Sequence, residues 1–169
     1  MGSQAVQQLR ARTDATWATL TRQLEGMEPH MERADAPGEW TTRQVLAHLL
    51  FAPGWNPADL LRTFAERELP LLDIKPGQII MNPERQTMTL RQFVDSLDGQ
   101  RRSVYTYLDA VPETDLERRK IRIPAFEQFL GTDQVPLGTF VGLMFDRHWK
   151  GHAEQLGKIR KAVGLPGAG

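Results

Sequence analysis

The chain holds four histidines, and two of them, His148 and His152, stand four residues apart in "FDRHWKGHAEQL", 145–156. Side chains at i and i+4 of a helix lie one above the other, with Cβ atoms roughly 5–6 Å apart, so two imidazoles so spaced can grip one metal ion. The same spacing also suits two solvated surface residues. A third histidine, His48, falls in "TTRQVLAHLL" among apolar neighbours. Three protein ligands leave one or more positions of an ion open, the arrangement of a catalytic metal and not of a closed structural one. Such an ion lowers the pKa of a bound water or thiol, or polarises a carbonyl oxygen. Cysteine is absent, so any ligand is histidine, carboxylate or water, and a thiol nucleophile would have to be an imported low-molecular-weight thiol.

These side chains need elements to position them. From Gln4 to about Met27, Val6, Leu9, Thr13, Trp17, Leu20, Leu24 and Met27 recur at steps of three and four, which predicts a first amphipathic helix. "MEPHMERADAPGEW" reads as a loop and carries His30. A second helix should begin at Thr41, where Thr41 and Gln44 fit a capping box and Trp40 precedes the cap. Val45, His48, Leu49 and Ala52 share one of its faces. "APGWNP" interrupts it, and the helical pattern resumes over Ala58 to Glu68. Pro70 to Arg85 reads as an irregular loop. Thr89 and Gln92 form a second capping box opening a third helix, which stops before Pro112. Pro112 to Gly138 is turn-rich, with "KIRIPAF" as a short extended piece. The last helix runs from about 137–139 to Val163, with the stripe Val141, Phe145, His148, His152, Leu156, Ile159, Val163. Four long helices predict an all-α fold, a four-helix bundle forming one domain across residues 1–169.

One histidine on an apolar stripe is more often a hydrogen-bonded core residue than a ligand, but three on two stripes are different. Each unsatisfied buried polar group costs about 1–3 kcal/mol, and one ion satisfies all three if the second and fourth helices are neighbours. Glu154 and Asp146, each two residues from a histidine, point roughly 200° around the helix, away from an ion. Arg147 and Gln155 lie nearer its flanks. Arg147 suits a substrate carboxylate, although an arginine beside a histidine is more often solvated. Trp55, beyond the kink, is placed to line a pocket mouth. Trp17, Trp40 and Trp149 read as packing residues, as do Tyr105 and Tyr107, with pocket lining the other role open to the tyrosines.

Composition narrows the class. With 21 basic and 21 acidic residues, the chain lacks the basic excess of a nucleic-acid binder, and clustered arginines in "QRRSV" and "ERRKIR" fit solvated helix ends. No apolar run reaches the roughly 18–20 residues that cross a bilayer, and "MGSQAVQQLR" has no signal-like apolar stretch. A cytoplasmic protein with a small-molecule partner is the expectation.

"GEWTTRQVLAHLL", "MTLRQFVDSLDGQRRSVYTYLDAVPETDL" and "DRHWKGHAEQLGKIR" together resemble the DinB-like superfamily of damage-inducible metal-binding four-helix bundles, distinct from the translesion polymerase of the same name. The resemblance covers nearly the whole chain. It implies metal ligation by His48, His148 and His152, with His30 matching no ligand position. It also implies up-up-down-down topology, with 70–88 and 112–136 as long crossovers, and commonly a homodimer. Its relatives include mycothiol- or bacillithiol-dependent S-transferases and mycothiol-dependent maleylpyruvate isomerases, so it implies thiol-dependent transfer, or hydrolysis, on a small electrophilic or toxic molecule in stress or detoxification. The Pro-Gly break after His48 departs from the family's commoner uninterrupted second helix. Three imidazoles suit zinc, nickel or iron. Metal binding without turnover, and a bundle whose histidines only hydrogen-bond, are the alternatives. Because ligation needs neutral imidazoles, metal loss is expected as pH falls below about 6.

Overall fold

The computed structural model describes residues 2–168, most of them helical. Helix α1, Gln4–Leu24, starts on a Ser3 cap and ends short of Met27, because the chain turns at Gly26 with φ of 75°, a left-handed conformation that glycine adopts without a Cβ penalty. Helix α2, Thr42–Leu49, opens with both halves of the Thr41/Gln44 capping box in place. It is only eight residues long. Leu50 is already extended, at φ −78° and ψ 138°, because the Pro53 ring would clash with the Leu49 carbonyl and disfavours helical backbone at Ala52. Ala52 is therefore off the helix.

Helix α3, Pro57–Arg62, is capped by Asn56 and stops six residues short of the expected Glu68. The chain straightens there so that Phe64, 2% exposed, packs on Phe140 with ring centroids 5.3 Å apart, while Ala65 bridges Lys120. The segment expected as loop from Pro70 is also partly pinned, since Leu71 bridges Arg122 and Pro83–Thr87 forms a short helix, α4, on an Asn82 cap. Helix α5, Leu90–Leu108, carries the second capping box as expected.

After α6, Asp115–Arg118, the "KIR" of the expected extended piece forms β1, Lys120–Arg122. It pairs antiparallel with β2, Gln134–Pro136, around α7, Glu127–Leu130. This small hairpin is an addition to the expected all-α picture: Ile121 and Val135 face each other across it, both buried. The last long helix is α8, Leu137–Gly142, a π turn over Leu143–Arg147, and α9, His148–Ala162. The fold thus has three long helical arms and a broken fourth made of α2 and α3.

The α1 helix lies along α9, and α2 touches both α9 and α5, which makes the second and last helices neighbours, as the site requires. Trp149 anchors the centre of this packing, 2% exposed, with its ring 5.6 Å from Trp17 and 5.3 Å from Phe145.

Candidate metal centre

The π turn decides which residues of the last helix see the core. Val141 and Trp149 are eight residues apart, and at about 100° per residue an unbroken helix would set them about 80° apart. In such a helix His148, seven residues on, would share the Val141 face. The π turn absorbs one residue, so Trp149 takes the core position, followed by Ala153, Leu156 and Arg160, all buried. His148 and His152 move to the flank of that stripe, half-buried, where they face a cavity. The expected stripe through both histidines is corrected accordingly.

His48, the penultimate residue of α2, meets them there. Its Nε2 lies 3.0 Å from His148 Nε2, and His152 Nε2 lies 3.0 Å from the same atom. The three ligand nitrogens fall within 4.8 Å of one another. Nitrogens bound tetrahedrally to one ion at 2.0–2.1 Å sit roughly 3.3 Å apart, so the two separations at His148 Nε2 are each within a few tenths of an ångström of a metal-holding spacing. Among the described residues no carboxylate joins it.

The outer nitrogens fix the tautomers. His48 Nδ1 lies 2.7 Å from the Gln78 carbonyl, and His152 Nδ1 lies 2.8 Å from Gln155 Oε1. Both partners are acceptors, so both Nδ1 atoms carry the hydrogen and both Nε2 atoms present lone pairs. His148 Nε2 therefore faces two lone pairs and, when neutral, brings at most one hydrogen. Its own Nδ1 is buried without a well-formed hydrogen bond, the Met144 carbonyl offering only a poor one. Three neutral rings so arranged leave one lone pair against another, and a cation at their meeting point relieves the conflict.

Burial, with His152 and His48 close by, pushes the His148 pKa down to about 3, and burial chiefly lowers that of His152 as well. Both rings are thus held in the neutral, ligating form.

The cavity holding these rings has a volume of about 930 Å³, within the range of small-molecule sites. Phe51, Leu72, Ile74, Phe126 and Met144 are among its walls, and Trp55, 58% exposed, stands on its lining. Arg147 and Lys75 also line it, with the Arg147 guanidinium 5.9 Å from the Phe129 ring centroid. Asp146 points away, accepting a hydrogen bond from Thr16 Oγ1 at 2.7 Å. His30 sits in the 3-10 turn after α1, outside the cluster. Tyr105 is a packing residue: its hydroxyl meets Thr13 Oγ1 at 2.6 Å, and burial raises its pKa to about 12. Tyr107 accepts from Arg119 at 2.7 Å and does not line the cavity.

Comparison of the chain with protein-family models, curated proteins and solved structures finds no match. The chemistry is therefore read from the site itself. Two contributors escape the sequence reading. Trp40, expected as a staple before the helix cap, walls the cluster, its ring 4.9 Å from His48 and stacked within 5° on His152 at 6.1 Å. Gln78 contributes a backbone carbonyl, which any residue type would supply, so no side-chain pattern could have marked it.

Proposed function

We propose that the chain holds one divalent metal ion, zinc, nickel or iron, through His48, His148 and His152, and acts as a metal-dependent enzyme on a small, largely apolar molecule. The observation carrying this reading is the tautomer conflict at His148 Nε2, where two lone pairs converge on one nitrogen. The adjoining cavity of about 930 Å³ favours turnover over sequestration, which requires no such space. When bound, the ion supplies Lewis-acid polarisation and a lowered pKa for a thiol or water. His48 and His152 contribute Nε2 lone pairs, oriented by Gln78 and Gln155. The apolar walls suit the hydrophobic part of the molecule, and Arg147 and Lys75 on the lining suit an anionic substituent.

Within this reading the chain is a DinB-like bundle. Helix α1, the pair α2–α3, α5 and the arm α8–α9 are its four members, in the up-up-down-down order that the resemblance implies. Thiol-dependent transfer to a small electrophile is then the favoured reaction, with a low-molecular-weight thiol as second substrate, and hydrolysis is the other. Metal analysis of purified protein tests the first step: about one ion per chain is expected, lost in His148→Ala and in His152→Ala. Substoichiometric metal indifferent to both substitutions would sink the proposal. A panel of model electrophiles, with and without small thiols, then separates transfer from hydrolysis by whether a His48-dependent rate needs the thiol.

A further inference from the structure

Arg85 is 5% exposed and is a buried arginine without a carboxylate partner among the described residues. Its guanidinium donates to three backbone carbonyls: Nη1 to Ile80 at 2.8 Å and to Ala47 at 3.3 Å, and Nη2 to Phe51. Two of these belong to the end of α2 and the two residues beyond it, where helical carbonyls are left without partners and a cation is favoured. The third lies two residues from Gln78, whose carbonyl orients His48. One side chain therefore ties together the helix end that carries His48 and the strap that fixes its ring. Burial lowers the Arg85 pKa from its ordinary value, a desolvation cost that mere surface decoration would not incur. The turn below is set by Asn82, whose Oδ1 accepts from the Arg85 amide at 2.8 Å.

We infer that Arg85 is a positioning residue for the metal centre, holding the Gln78 strap against the end of α2 so that His48 stays in its Nδ1–H tautomer with Nε2 aimed at His148. The inference rests on the metal-site reading but has a separate readout. The molecule also contains its own control. Arg160, 7% exposed, donates in the same manner to the carbonyls of Pro166 at 2.6 Å, Gln23 at 3.3 Å and Glu25, and it does not line the cavity.

The experiment compares wild type, Arg85→Met and Arg160→Met by three measurements: melting temperature, zinc affinity by competition with a chelator, and the ring 15N shifts of His48 in metal-free protein. Both variants are expected to melt lower. Arg85→Met alone is expected to bind zinc about 10–100-fold more weakly and to shift His48 from the Nδ1–H pattern toward a tautomer mixture. Arg85→Lys, which keeps the charge but loses the planar fork, should fall between. An Arg85→Met protein that melts lower but keeps wild-type zinc affinity and an unchanged His48 pattern would overturn the inference. If Arg85→Met does not fold, Asn82→Ala decides: a several-fold loss of zinc affinity with a changed His48 pattern is expected, and unchanged values of both overturn it. Wild-type protein that binds no zinc defeats the metal reading, whereas the nitrogen shifts still report on Arg85.

Discussion

The two sides of α9 are built from the same helix turns and serve opposite ends. Toward α1, Trp149, Ala153, Leu156 and Ile159 are each at or below 2% exposed, close-packed and dry. Toward the cavity, His148, His152 and Gln155 carry polar atoms that meet each other and leave one nitrogen in conflict. The packed side supplies the rigidity that the polar side lacks: Trp149 and Ala153 stand next in sequence to His148 and His152, so their burial fixes where the imidazoles point. A site of this kind is precise because its backbone is held from behind, while its polar atoms stay free for a guest.

Removing the support should give the largest effect. Trp149→Ala is expected to cost about 3–5 kcal/mol in a denaturant melt, with metal affinity falling as a consequence. An equal loss of affinity with stability intact would mean that the two sides are not linked in this way. Acid comes next. With the His148 pKa lowered from 6.5 to about 3 in the fold, the unfolded chain takes up its proton first, so metal-free stability is present above pH 6.5 and declines as pH falls from 6.5 toward 3. His148→Ala should flatten that decline, and melts at pH 7 and pH 4.5 compare the two proteins. Smaller still, Gln155→Ala removes the acceptor on His152 Nδ1 and should weaken metal binding about 10–100-fold, measured by chelator competition, while leaving the melting temperature near wild type. The least change is expected from Thr41→Ala, which loses the α2 capping box at about 1 kcal/mol by the same melt.

What the sequence made legible was what local rules decide. Both capping boxes stand where Thr41 with Gln44 and Thr89 with Gln92 placed them, and the three histidines meet as their spacing and the resemblance implied. Helix α2 is shorter than its apolar face, which continues through Ala52, because Pro53 ends it at Leu49. Phe64 ended α3 early for a tertiary reason, its seat against Phe140, which no local propensity expresses. The hairpin partner of "KIR" lies twelve or more residues downstream and carries no turn signature tying the two. Arg85 closes the segment expected as loop, and its role depends on carbonyls of Ala47, Phe51 and Ile80 that only the fold brings around it.

The π turn has a consequence for how this chain can change length. Because Leu143–Arg147 already absorbs one residue, a single-residue deletion there would restore an unbroken α-helix while leaving Val141 and Trp149 on the same face. The same deletion between Trp149 and Ala153 would swing everything after it by about 100°, carrying Leu156 out of the core and His152 away from His148. A single-residue deletion is therefore tolerated immediately before the first of the paired histidines and forbidden immediately after it.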